Sequence, residues 1–175
     1  LYSAIPQEMH QVAECFGETY LRRVRPEQFI QNIPMIREKL GADKADRAIL
    51  RAAHYFDENA RVTDMADALQ ADNLPLFLQD VIESGQSSAM YLQNIFATSQ
   101  SEEVALALML ADRKLKGKGA WRVHGGGFAG TTLNFVPQKE LDGFVKDMSA
   151  VFGEYCCEVL DIRPEGAAVI DLLGA

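Results

Sequence analysis

Apolar residues recur at three- and four-residue steps through the first two thirds of the chain, the spacing that gathers them on one face of a helix. Between Asp46 and Gln70 the set is Ile49, Ala53, Phe56, Ala60 and Leu69, with Arg47, Asp57 and Asp64 on other faces, which predicts one amphipathic helix. Asp72, Asn73 and Pro75 interrupt it. Phe77, Leu78, Val81, Ile82, Ala89, Leu92 and Phe96 then repeat the spacing and predict a second helix packed beside the first. Ser99 and Glu102 have the S-x-x-E spacing of a capping box, so a third helix is expected from there to about Leu115. Upstream, Pro6 to Arg22 and Pro26 to Leu40 also read as helix. They are interrupted at Arg25 and Pro34, because proline lacks an amide hydrogen and restricts the residue before it.

The period changes near Gly117. GAWRVH, TTLNFVP, CCEVLDI and AAVIDL are rich in β-branched and aromatic residues and bounded by glycine or proline, as strands are. Between the second and third, Gln138 to Phe152 carries the helical stripe Leu141, Phe144, Val145, Met148, Val151 and Phe152. The turn signal Arg163, Pro164, Glu165 and Gly166 is short enough to make the last two strands a hairpin. The fold class is therefore α+β. Residues 1–175 are read as a single domain, helical over 1–116 and ordered β, β, α, β, β over 117–175, with the earlier helices covering an antiparallel sheet of four strands.

Composition narrows the function classes. The 175 residues are 48% hydrophobic, enough to fill a core, and 17 Lys and Arg against 25 Asp and Glu leave a net charge of -8. Such a field repels a polyanion, so nucleic acid is not an expected partner. Cys15, Cys156 and Cys157 suit neither a disulfide framework nor a zinc site and fit a reducing cytoplasm. No apolar run reaches the roughly 20 residues that cross a bilayer, and LYSAIPQEMH has no basic head or hydrophobic signal core, so no membrane is expected. The start at Leu1 suggests a truncated or processed product.

Four of the six residues from Gly125 to Gly130 are glycine, and they lie between two predicted strands. Each ordered glycine costs conformational entropy, so the set points to a backbone that must be approached closely or that turns successive amides toward an anion. The alternative is a flexible hairpin loop. Gly125, Gly127 and Gly130 match the G-x-G-x-x-G spacing, but a strand follows where a dinucleotide fold needs a helix. His124 to Gly127 copies an esterase oxyanion motif. The only near match to a nucleophile elbow, GQSSA at Gly85 to Ala89, sits in a helical pattern upstream, and no histidine follows His124.

Elsewhere, His54, Asp57 and Glu58 share a helix face, but two chelating residues on one turn are too few for a metal, and a structural hydrogen-bonding role is expected. Trp121 is expected to pack on the sheet. Cys156 and Cys157 alternate across the third strand, one toward the core. The charged clusters Asp43 to Arg47 and Arg113 to Lys118 read as solvated surface.

Set in GAWRVHGGGFAGTTLNFVP, the loop resembles the third motif of the galactokinases, part of the kinase group that includes homoserine, mevalonate and phosphomevalonate kinases. That motif has a small residue, a basic residue, Met-Thr and GGGFGGC. Here the positions are Ala120, Arg122, Val123, His124, Gly125, Gly126, Gly127, Phe128, Ala129, Gly130 and Thr131. RAAHYFDENARV, from Arg51 to Val62, is similar to the family's Arg-Ala-x-His followed by Glu-x-x-Arg-Val. Glu83, Ser84, Ser87 and Tyr91 resemble its E-S-x-x-S-L helix. Ala129, Thr131 and His124 depart from the family's glycine, cysteine and threonine, and leave the identity of the sugar open.

The resemblance implies a C-terminal domain with a four-stranded antiparallel, ferredoxin-like sheet, and a site shared with an N-terminal kinase domain. Gly125, Gly126, Gly127, Phe128 and Gly130 would shape the pocket, with His124 and Tyr2 as candidate substrate contacts. The family's Gly-Glu-His sugar motif, serine-rich phosphate loop and catalytic Asp are not found in this sequence, so no catalytic residue and no metal ligand is expected in it. ATP and Mg2+ would be bound mainly by the N-terminal domain, and galactose or a related sugar would be the substrate. Residues 1–175 alone would be inactive and would self-associate through the exposed interdomain face. The competing expectations are a catalytically silent sugar-sensing regulator with the same fold, and a free-standing interaction domain.

Overall fold

The computed structural model describes residues 2–96, 98, 100–128 and 130–166. Its centre is α4, Ala42–Gln70, a helix of 29 residues and therefore about 43 Å long. Against its first half pack α1 (Ala4–Glu14), a 3₁₀ turn at Leu21–Arg23, α2 (Pro26–Gln31) and α3 (Ile33–Leu40). Proline stands in the first turn of both α2 and α3, where its missing amide costs nothing. Val12, Ala13, Leu21, Val24, Phe29, Ile36, Ala45, Ala48, Ile49 and Ala52 form one buried cluster. The alanines on α4 let α1 and α3 approach closely.

Helix α5, Leu74–Ser87, runs back along α4 and also lies on the sheet. Asn73 caps it, its side-chain oxygen accepting from the Leu76 amide at 3.2 Å. Ser84, Gly85 and Ser87 are buried on this helix. A methyl on Gly85 would stand 3.0 Å from Arg122 Cβ and 3.1 Å from the Trp121 carbonyl, so the glycine sets how near α5 comes to the sheet. GQSSA is thus a packing surface within a helix. After it the chain makes a π turn at Ser88–Leu92.

Two antiparallel strands follow α6 (Glu103–Leu115): β1, Ala120–Val123, and β2, Thr132–Phe135, in a register pairing Ala120 with Phe135 and Val123 with Thr132. A 3₁₀ turn, Gln138–Glu140, leads into α7, Leu141–Phe152. Phe144 and Met148 of α7 meet Ala111 and Leu115 of α6, with Trp121 and Cys157 packed against them. Among the described residues, no helix is long and apolar enough to cross a membrane.

Four expectations need correction. The N-terminal helix was to run from Pro6 to Arg22, but α1 ends at Glu14, Gly17 turns left-handed (φ 75°), and only a short 3₁₀ turn follows at Leu21–Arg23. The second helix was to reach Phe96, but it ends at Leu92: Gln93 turns left-handed (φ 59°), and its amide returns to the Ser88 carbonyl at 2.8 Å. Glu102, expected three residues into α6, is at its N-cap and makes no side-chain cap; Ser99 lies outside the described residues. CCEVLDI, Cys156 to Ile162, forms no strand, so the sheet has two strands among the described residues instead of four. Its β-branched side chains satisfied the composition rule, but a strand needs a paired neighbour. Here Val159, Leu160 and Ile162 are exposed. The predicted fourth strand, residues 167–172, lies outside the described residues.

Of the three cysteines, Cys157 packs partly against the second cluster and Cys156 is exposed, as expected, although neither is in a strand. The charged clusters are exposed, and four of their members are paired: Arg47 with Glu8, Asp46 with Arg37, Lys114 with Asp147 and Lys118 with Glu140.

Candidate functional site

Residues 124–131 join β1 to β2 as the glycine loop. Its base is closed by the His124 amide donating to the Thr131 carbonyl at 3.0 Å, and the Gly127 amide reaches the His124 carbonyl at 3.4 Å. Gly125, Gly127 and Gly130 have φ of 57°, 72° and 85°, and Phe128 has 58°. This left-handed region is open to glycine and unfavourable for phenylalanine. Gly126 has a different reason to be glycine: the Tyr2 ring lies against it, and an added Cβ would stand 2.8 Å from the ring's Cζ and Oη. Gly127 is pressed from the other side by Asn94, whose carbonyl accepts the Phe128 amide at 2.9 Å.

Tyr2 and the loop, both expected at the site, are therefore in contact. His124 is exposed at the end of β1. Ala129 lies outside the described residues.

The polar residues that carried the resemblance meet where α4, α5 and β1 come together. Arg51, His54, Glu58 and Arg61 follow one another on one face of α4 at steps of three and four. Glu58 Oε2 accepts from Ser84 Oγ at 2.6 Å and lies 3.8 Å from the Arg122 guanidinium on β1, while its other oxygen pairs with Arg61. His54 Nδ1 is 2.9 Å from Ser87 Oγ, both buried. The structural role expected of His54 is the one found. Asp57 is exposed, and no three His, Cys, Asp or Glu side chains gather to hold a metal among the described residues. Of the E-S-x-x-S helix, Ser84 and Ser87 face inward and Glu83 faces solvent.

Arg51, 2% exposed, donates from Nε to the Leu92 carbonyl at 3.3 Å and from NH1 to Glu8 Oε2 at 2.8 Å. It thus ties α4 and α1 to the end of the π turn, two residues before Asn94.

Two buried groups titrate abnormally. Burial holds the His54 imidazole below its ordinary range, only partly offset by the Glu58 charge, so it is neutral at pH 7. Asp80 on α5 is pushed up, first by desolvation and then by Glu83 and Asp64, and its Oδ2 has no hydrogen-bond partner among the described residues.

Sequence reasoning missed Glu8, Asp80 and Asn94. Glu8 and Asp80 were hidden in helical patterns that say nothing of what lies across from them. Gln93-Asn94, two polar residues amid an apolar stripe, was the one local sign that the second helix ended early.

A Cβ on Gly125 or Gly130 would meet no described atom within 4 Å. Two clefts elsewhere, one of about 290 Å³ bordered by Lys114, Lys118, Lys139 and Asp147 and one of about 220 Å³ bordered by Met9, His10, Tyr20 and Arg22, include no loop residue.

Helices packed on a small antiparallel sheet, with a glycine loop joining its two strands, make the fold α+β. No family model matches the chain. Curated galactokinases do. The chain is 29% identical over 145 residues to that of Glaesserella parasuis serovar 5. It is 31% identical over 144 residues to that of Actinobacillus pleuropneumoniae serotype 3 and 30% over 153 residues to that of serotype 5b. These alignments cover 83%, 81% and 87% of this chain but 35%, 34% and 36% of the relatives. The resemblance to galactokinases read from the motifs thus extends over most of the chain, which spans about a third of the length of the curated relatives it matches.

Proposed function

We propose that the chain is the C-terminal domain of a galactokinase-like sugar kinase of the homoserine and mevalonate kinase group, a cytoplasmic enzyme transferring the γ-phosphoryl group of ATP to galactose. The observation that carries this reading is how the galactokinase-like segments meet: Glu58 of α4 joins Arg61, Ser84 of α5 and Arg122 of β1, the strand that leads into the glycine loop, and His54 of α4 meets Ser87 of α5.

Phosphoryl transfer is catalysed mainly by positioning and charge stabilisation. ATP with Mg2+ supplies the phosphoryl group and its charge neutralisation. In this reading the metal is held mainly by the N-terminal domain. The chain's own contribution is a rigid wall. Glu58 anchors Arg122 on β1, and β1 carries His124 and the loop. Gly125, Gly126, Gly127, Phe128 and Gly130 then present a close backbone surface to a ligand, with Tyr2 and His124 at its margin. An N-terminal domain would complete the pocket and supply the nucleotide site and the group that takes the hydroxyl proton.

The test is a phosphorylation assay. The whole protein should convert galactose to galactose 1-phosphate with ATP and Mg2+, and residues 1–175 alone should show no turnover. Binding of galactose without turnover by the whole protein would replace the kinase reading with that of a sugar sensor, and turnover by residues 1–175 would overturn the domain assignment.

A further inference from the structure

Asn94 is fully buried, and neither its side-chain oxygen nor its side-chain nitrogen has a hydrogen-bond partner among the described residues. Burying a carboxamide unpaired on both sides is costly, and an apolar residue of similar size would serve packing better. Its position is also unusually well fixed. Arg51 takes the Leu92 carbonyl, the π turn closes onto Gln93, and the Asn94 carbonyl holds the Phe128 amide at 2.9 Å. Three non-glycine residues have positive φ among those described: Asp72, Gln93 and Phe128. Two of them flank this single hydrogen bond. Strained backbone persists only where the surroundings impose it, and it collects at sites that do work; π turns do likewise.

The side chain is aimed at the loop. A Cβ on Gly127 would stand 2.6 Å from Asn94 Nδ2 and 2.7 Å from Asn94 Cβ, so only glycine lets the loop rest on this amide. A carboxamide offers two donors and two acceptor lone pairs, the complement of peptide groups in a short loop.

We propose that Asn94 is the positioning residue of the glycine loop, its carboxamide pairing with the loop's peptide groups when sugar is bound. The inference rests on the sugar-kinase reading. It assigns Asn94 no contact with the reacting atoms.

The experiment uses the whole protein, comparing wild type with Asn94→Leu and Asn94→Ser. It reads the thermal midpoint with and without galactose and Mg-ADP, and KM and kcat with galactose and Mg-ATP. Asn94→Leu should leave the midpoint without ligands equal or higher, shrink the shift produced by galactose, and lower kcat at least tenfold with a smaller change in the KM for ATP. Asn94→Ser, which keeps a donor and an acceptor, should recover part of that loss. If Asn94→Leu melts lower yet keeps the galactose shift and kcat, the amide is satisfied by solvent and only structural, and the proposal fails. Should Asn94→Leu not fold, Asn94→Ser decides: full wild-type kcat and galactose shift in it overturn the proposal, and a reduction in both with an unchanged midpoint upholds it. A wild type that neither binds nor phosphorylates galactose sinks the kinase reading and this inference together, whereas a responsive wild type matched by Asn94→Leu sinks this inference alone.

Discussion

Ser84 on α5 donates its hydroxyl hydrogen to Glu58 on α4 at 2.6 Å, and the same carboxylate oxygen faces Arg122 on β1 at 3.8 Å. One acidic side chain thereby joins three elements, the last of which leads directly into the glycine loop. Ser84 is fully buried and Glu58 partly so. Ser84→Ala should cost about 1–3 kcal/mol, the range for removing one partner of a buried charge-assisted bond. Urea unfolding of the two proteins measures it, and an unchanged midpoint would show that the hydroxyl does not hold the carboxylate.

His54 makes stability depend on pH in a defined sense. Its folded pKa lies below the ordinary 6.5, so in the window beneath 6.5 the unfolded chain binds more protons than the folded one. Stability is then complete above that window and is lost as pH falls through it, down to the folded value. His54→Gln should flatten this part of a stability profile taken between pH 7 and pH 5.

Asp80 acts in the opposite direction. Its folded pKa is raised above 3.8, so the folded chain holds the proton more tightly and the ionised carboxylate penalises the folded state as pH rises through that value. Asp80→Asn should stabilise the protein at pH 7 by about 0.5–2 kcal/mol, the gain common for relieving one unfavourable site. The advantage should disappear near pH 3. Chemical denaturation at the two pH values checks the sign.

Neighbouring glycines in the loop should respond differently to the same methyl group. At Gly126 the added carbon meets the ring of Tyr2, a side chain 66% exposed and free to swing away, and φ is not in the left-handed region. At Gly127 it meets the Asn94 carbonyl, and φ is 72°. Gly127→Ala should lose about 1–3 kcal/mol, and Gly126→Ala under about 0.5 kcal/mol, as expected for surface change away from strain. Paired thermal melts of the two variants test the difference.

Cys156 and Cys157 should also separate chemically. Burial, reinforced by the neighbouring thiol, pushes Cys157 up to about 11, so its reactive thiolate is scarce at pH 8. Exposed Cys156 should be alkylated first, as peptide mapping after brief treatment with iodoacetamide would show.

The sequence by itself determined which segments are helical, though not where α1 and α5 stop, the positions of β1, β2 and α7, and the glycine loop between the strands. Each rests on local rules: apolar period, proline and glycine placement, and the bar on side chains at positive φ, as at Gly125 and Gly130. It also determined the resemblance to galactokinases, because His54, Glu58, Arg61 and Arg122 stand in motifs readable without a structure. Only the tertiary structure decided what those motifs do together. That His54 meets Ser87, that Glu58 meets Ser84 and Arg122, and that Glu8 holds Arg51 depend on the packing of α1, α5 and β1 on α4 across 26 to 64 positions of sequence. The fate of Cys156 to Ile162 was likewise beyond composition, since pairing requires an available edge and not merely suitable side chains. Asn94 makes the same point most sharply: along the chain it is a polar residue in an apolar stripe, and in space it is a buried amide against Gly127 with no partner among the described residues.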